Sequence, residues 1–220
     1  DMAVVQDKPW ESFSIGDPAF VIPWPLDGSL RLYYGCAEKN IPHYIARMCL
    51  AVSRDGGLSF SKPNLGLVKH NGRDSNIVFP TDEWVNASYK TGSAFTMAHM
   101  FRDERPGTHE SVRWKAVMNG GPPTLGPKGV LGHGAQAWVW GSADGLRFRP
   151  LTNFSRPSIV CSDTQDTALG WNHALQRYAF LVRHDGPDAT TEKWGPGTGA
   201  GRRVTLCLTK SLSYWGNNYA

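Results

Sequence analysis

Apolar residues in this chain come in short, nearly alternating runs rich in β-branched and aromatic side chains, such as Leu30-Arg-Leu-Tyr-Tyr-Gly35, Val112-Arg-Trp-Lys-Ala-Val117 and Gln176-Arg-Tyr-Ala-Phe-Leu-Val-Arg183. Each run is bounded by Gly, Pro, Asn or Asp, the signature of strands joined by tight turns. The pattern predicts strands over 17–24, 29–36, 45–53 and near 59–61, with turns at Pro25-Leu-Asp27-Gly28 and Asp55-Gly-Gly57. A second group falls near 93–101, 112–118, 135–142 and 146–149, and a third near 165–170, 176–183 and 203–209. Residues 62–78 read as a connector, and the Gly- and Pro-rich stretches 119–134 and 186–202 as loops. No long amphipathic helix is predicted.

Three stretches repeat one design: Ala51-Val-Ser-Arg-Asp-Gly-Gly-Leu-Ser-Phe60, Trp140-Gly-Ser-Ala-Asp-Gly-Leu-Arg-Phe148 and Cys207-Leu-Thr-Lys-Ser-Leu-Ser-Tyr-Trp215. Each places a hydroxyl residue before a turn and an aromatic after it. Repetition on this scale predicts an array of β-modules, and the spacing suits the blades of a β-propeller. The fold class expected is therefore all-β: about three blades of four-stranded antiparallel sheet, roughly 12–62, 76–150 and 158–217, in a single domain over 1–220. Propellers typically close with four to eight blades, so this domain is expected to be incomplete. The Asp-Gly turns, with Asp55 and Asp144, are expected to be structural, their carboxylates closing the turn by accepting nearby backbone N–H groups.

Composition narrows the function classes. The 220 residues carry a net charge of +4, but the basic residues are scattered and form no stripe, which argues against nucleic acid. No apolar run reaches membrane-spanning length. No Cys/His spacing suggests zinc, and no phosphate-binding loop or Gly-x-Ser-x-Gly elbow is present. Nine Trp, seven Tyr and nine Phe serve either sheet packing or a sugar-binding cleft. Four cysteines allow three pairings. Cys36 and Cys49 lie on one predicted hairpin and so could be bridged, the alternative being buried free thiols. The sequons Asn86-Ala-Ser88 and Asn153-Phe-Ser155 lean toward a secreted or extracytoplasmic location.

Two acids stand 15 residues before apparently matching positions: Asp17 before Leu32 and Asp163 before Tyr178. That register puts both at the entry of the innermost strand of a blade, where strands converge. Facing carboxylates are what glycoside hydrolysis requires, one as acid and one as base or nucleophile. Asp103 is a third candidate, with a different spacing that also fits a strand end. Trp24, Gln165 and Arg183 are the candidate substrate contacts, an indole for stacking on a ring and an amide and a guanidinium for hydroxyls. His99 is a further inner-strand residue that either faces the funnel or sits in the core.

Asp-Lys-Pro-Trp-Glu (7–11), Ser53-Arg-Asp-Gly-Gly-Leu-Ser-Phe-Ser-Lys-Pro-Asn-Leu-Gly-Leu-Val68 with Asn76-Ile-Val78, and Ser162-Asp-Thr-Gln165 resemble the five-bladed β-propeller proteins grouped with glycoside hydrolase families 32, 43, 68 and 130. The nearest likeness is to the proteins described as glycosyl hydrolase family 32 N-terminal-like. The resemblance implies a glycosidase acting on an oligo- or polysaccharide, with Asp17 as base or nucleophile, Asp103 as stabiliser and Asp163 as acid. The third-blade acid is Asp where those families carry Glu, and their Trp-Met-Asn-Asp-Pro, Arg-Asp-Pro and Glu-Cys signatures are absent. No cofactor is implied, although a propeller funnel can hold calcium. A non-catalytic propeller binding glycans or a protein partner is the alternative. A sialidase-like reading ranks lower: Ser53-Arg-Asp-Gly-Gly-Leu-Ser-Phe60 resembles an Asp-box, but no spacing selects Arg102, Arg183 and Tyr33 as a catalytic set.

Overall fold

Trp24-Pro-Leu-Asp-Gly-Ser29 makes the first hairpin because Asp27 accepts from both the N–H and the hydroxyl of Ser29, and Gly28 supplies a φ of 69°. The strands it joins, β1 (Ser14–Pro23) and β2 (Leu30–Ala37), begin an antiparallel sheet. The structure is a computed structural model and describes residues 4–39, 47–81, 96–119, 137–151, 166–185 and 202–212. All its sheets are antiparallel, and the only helix among the described residues is two 3-10 turns, Pro9–Glu11 and Glu110–Val112.

The first sheet has the order β1-β2-β3-β6, with β3 at Arg47–Ser53 and β6 at Ile77–Phe79. The outer strand is thus not at 59–61. Ser61 makes a single bridge to Val52, and the rest of the β3 edge is taken by β6, at the end of the segment 62–78 that the sequence reads as a connector. That supposed connector also folds into a small hairpin, β4 (Lys69–His70) with β5 (Arg73–Asp74). The second sheet runs β10-β9-β8-β7, formed by β7 (Thr96–Arg102), β8 (Trp114–Asn119), β9 (Ala137–Ser142) and β10 (Arg149–Pro150). The third is β11 (Asp166–Asn172), β12 (Arg177–Asp185) and β13 (Arg202–Thr209), three strands among the described residues.

Alternation sorts the side chains into layers. Tyr33, Met48 and Leu50 of the first sheet meet Trp114, Met118, Trp138 and Trp140 of the second in one buried cluster. The opposite face of the second sheet, through Val117 and Val139, packs on Tyr178 and Phe180 of the third. Tyr34, Cys36, Cys49 and Ala51, on the other face of the first sheet, are covered by Trp10 and Val68. The three sheets therefore stack in chain order. Cys36 and Cys49 form a disulfide across β2 and β3, and Cys207 is also disulfide-bonded.

The Asp-Gly turns behave as expected. Asp55 accepts from Ser53 Oγ and from the backbone and hydroxyl of Ser59, which holds its carboxyl well below the usual range. Asp144 accepts from Ser142 Oγ at 2.9 Å and from the backbone N–H groups of Leu146 and Arg147. Partial burial pushes Asp144 up, but these bonds outweigh it and hold the group at about 2. The turn also joins two sheets: Tyr33 Oη donates to Gly145 O at 3.1 Å, and Arg31 Nη1 donates to Asp144 O at 3.4 Å.

Candidate functional site

Strand order decides which residues can share a site. β1 lies beside β7, and β7 beside β11, each the terminal strand of its sheet. Phe20 contacts His99 (centroids 4.9 Å), while Trp24, just past the end of β1, stacks on Trp114, which pairs with Arg102 at the end of β7. β1 and β7 therefore run in the same direction, side by side.

Asp17 lies near the start of β1, and its side chain is outside what the structure describes. Its backbone has a special position. Gly16 pairs with Gly35 and Ala19 with Tyr34, so Asp17 and Pro18 form an insertion without cross-strand partners. Bulges of this kind re-aim side chains and are common next to active sites. Asp163 and Gln165 lie outside the described residues, as does the side chain of Arg183, whose backbone pairs with Val204 on β13.

The ladders correct the register used to match the two acids. Leu30, Trp114 and Tyr178 pair with Ser53, Ser142 and Thr209, the hydroxyl residues of the three repeats, so Leu30 and not Leu32 is level with Tyr178. The error is two residues, one full period of the alternation, so it leaves the same side chains on the same faces and passes unseen in the sequence. The insertion at 17–18 and the one-residue bulge at Leu169 have no signature in an alternation pattern. With the register corrected, Asp166 emerges as an acid that counting passed over. It pairs with Val182 and stands level with Ala19 on β1 and Ala98 on β7.

Asp103 is elsewhere. It follows the end of β7, level with Asn172 and Trp24, at the far end of the strands from Asp17. Its carboxylate is 1% exposed and fully engaged. Arg105 N donates to Oδ1 at 3.1 Å, Tyr178 Oη donates to Oδ2 at 2.9 Å, and Lys115 Nζ lies 3.3 Å from Oδ2. Burial first, and then the charge of Asp103, push the Tyr178 phenol up to about 12, so it remains a donor. Burial pulls the Lys115 ammonium down, and Asp103 opposes that. Asp103 thus bridges the second and third sheets and cannot act beside Asp17.

Trp24 is also corrected. It is 4% exposed, with Trp114 stacked on the ring and the Arg31 guanidinium carbon 3.4 Å from its centroid. No face remains for a sugar. Trp10, Trp114, Trp138 and Trp140 are likewise buried, whereas Trp171 is only partly buried. His99 sits among apolar neighbours, its Nδ1 without a hydrogen-bond partner, and burial pulls its pKa down to about 4. Tyr33 is fully buried and bonded to Gly145 O, and Arg102 pairs with Glu104, which removes two members of the sialidase-like set. Among the described residues no cluster of His, Cys, Asp and Glu is placed to hold a metal ion, and no helix is long and apolar enough to cross a membrane.

No family model and no curated protein matches the chain. Among solved structures, it is similar to a β-fructofuranosidase of Aspergillus kawachii complexed with glycerol, with TM-score 0.54 and 15% identity over 94% of this chain and 35% of that one. A glycosyl hydrolase from Bacteroides ovatus follows at TM-score 0.48, with 12% identity over 90% of this chain and 46% of that one. An α-L-arabinofuranosidase of Fusarium graminearum with an iminosugar inhibitor has TM-score 0.44 and 9% identity over 90% and 47%. At these identities the first similarity is one of fold, and the other two are too distant to build on. The chain spans less than half the length of each of these structures.

Proposed function

We propose that the three sheets are successive blades of a β-propeller of the five-bladed type and that the protein is a glycosidase, hydrolysing a glycosidic bond of an oligo- or polysaccharide with carboxylates at the starts of the inner strands. The observation that carries this reading is the bulge at Asp17 on β1, beside the start of β7, in a fold shared with part of a β-fructofuranosidase. Asp17 would act as base or nucleophile and Asp163 as the acid, with Gln165 and Arg183 bonding sugar hydroxyls. Asp166 joins Asp163 as a candidate for the acid role because it opens β11, level with Ala19 just after the Asp17 bulge on β1. The separation of the two working carboxylates sets the outcome: about 5 Å gives retention and about 6.5–9.5 Å inversion.

A screen of the protein on aryl glycosides and neutral oligosaccharides, with Asp17→Asn, Asp163→Asn and Asp166→Asn variants, tests the proposal. Loss of a working carboxylate should lower turnover by about 100-fold or more. Wild-type activity in all three variants would end the mechanism. A second reading, a non-catalytic propeller that binds a glycan or a protein, is favoured by the structural engagement of Asp103 and Trp24. It predicts glycan binding with no turnover in the wild type.

A further inference from the structure

At the end of the strands opposite Asp17, the second and third sheets border an open groove of about 370 Å³ lined by Arg105, Pro106, Trp171, Gln176, Arg177 and Lys210. This volume is at the small end of ligand pockets. The lining carries three cations and no acid. Arg105, Arg177 and Lys210 form no ion pair among the described residues, unlike Arg102, Arg113 and Arg147, which each have a carboxylate partner. The nearby carboxylate, Asp103, lies behind Tyr178 and is already matched by Lys115. Three positive charges therefore converge without compensation, an arrangement that costs stability through mutual repulsion and is relieved by a bound anion.

The remaining lining narrows the ligand. Trp171 is partly buried, with the Arg105 guanidinium carbon 5.3 Å from its ring centroid and Tyr178 edge-on to it. Its Nε1–H is buried and has no acceptor. Closed off from solvent, it is out of a ligand's reach, so the indole contributes apolar surface rather than a hydrogen bond. Gln176 adds an amide, anchored by donation from Nε2 to His173 O at 2.6 Å. Guanidinium groups pair with the two oxygens of a carboxylate or with two oxygens of a tetrahedral sulfate, and the accessible edge of the indole offers apolar contact to the C–H groups of a sugar ring. We propose that this pocket binds a carboxylate- or sulfate-bearing saccharide, at a site separate from the carboxylates of the proposed reaction.

Titration calorimetry of the protein against trigalacturonate, a sulfated chondroitin disaccharide, maltotriose and sodium sulfate tests the assignment. An acidic saccharide should bind, with affinity falling as salt rises, and maltotriose should give no heat. The Arg177→Glu/Lys210→Glu double variant should weaken binding by about tenfold or more without lowering the thermal midpoint. Trp171→Ala, which removes the apolar ring surface, should weaken it as well. The proposal is overturned if neither acidic saccharide binds, if maltotriose or sulfate alone binds as tightly, or if the double variant keeps full affinity. Each of these readouts is independent of glycosidase activity.

Discussion

His99 shows how burial alone sets a chemical state. Its imidazole has no hydrogen-bond partner at Nδ1, sits against Phe20, and is neutral down to about pH 4. The unfolded chain takes up a proton near pH 6.5, the ordinary value. Between these values the unfolded state binds more protons than the folded one, so stability rises with pH over this window and is lost as pH falls through it. The loss reaches at most about 3 kcal/mol by pH 4. His99→Phe should flatten this part of a stability–pH curve measured by denaturant unfolding, leaving the steeper loss at lower pH. That lower step includes Asp144. Its depressed pKa supports the fold above the usual carboxylate range, and the support is lost as pH falls through about 2. Gly145, beside it, is needed for two reasons. Its φ is +68°, and an added Cβ would lie 2.8 Å from the Trp24 ring. Gly145→Ala should cost about 3 kcal/mol from the left-handed backbone and the overpacked contact together, read as a lower denaturation midpoint.

Elements joined over long sequence distances explain which parts of the chain looked familiar. Glu11 is fully buried in the first 3-10 turn, where Oε1 accepts from Tyr34 Oη at 2.6 Å and Oε2 from Lys62 Nζ at 2.7 Å and the N–H groups of Asp7 and Lys8. Asn76 donates to Tyr34 Oη and Leu50 O and accepts from Trp10 Nε1 at 2.8 Å. Segments 7–11, 53–68 and 76–78, three of those that carry the family resemblance, are therefore one hydrogen-bonded network packed on the first sheet. Lys62→Met leaves the Glu11 charge buried without its cation and should cost about 3–5 kcal/mol in chemical denaturation. The Cys36–Cys49 bridge closes a separation of 13 residues in the same sheet, and its removal by Cys36→Ser/Cys49→Ser should cost about 3 kcal/mol. Alternation revealed most strands, because a half-buried sheet demands it. It did not reveal β6, three fully buried residues inside a polar stretch, nor the bulges at 17–18 and 169, because an inserted residue leaves no periodic trace. The register of the candidate acids slipped for a different reason: taking Leu32 for Leu30 is a shift of one full period and leaves the alternation unchanged. Asp103 and Trp24 stood out in the sequence because charged and aromatic residues at strand ends invite a functional reading. Burial and three-dimensional partners, which a sequence does not display, make them structural.

Across the whole molecule the sheets stack in chain order, and apolar side chains fill both interfaces. The Asp17 bulge lies at one end of the strands, and the cationic pocket around Trp171 at the other. The proposed chemistry at the first end and the proposed anion recognition at the second should therefore separate by mutation: Asp17→Asn should lower turnover by about 100-fold or more without changing the calorimetric affinity for trigalacturonate. The Asp144–Gly145 turn has a consequence for how the molecule opens. It belongs to the second sheet but is capped by Tyr33 and Arg31 of the first, so neither sheet can detach while the other keeps its native contacts. Amide protons of β2 and β8 should exchange with deuterium through a single shared opening, and loosening Gly145 should accelerate both sets by the same factor.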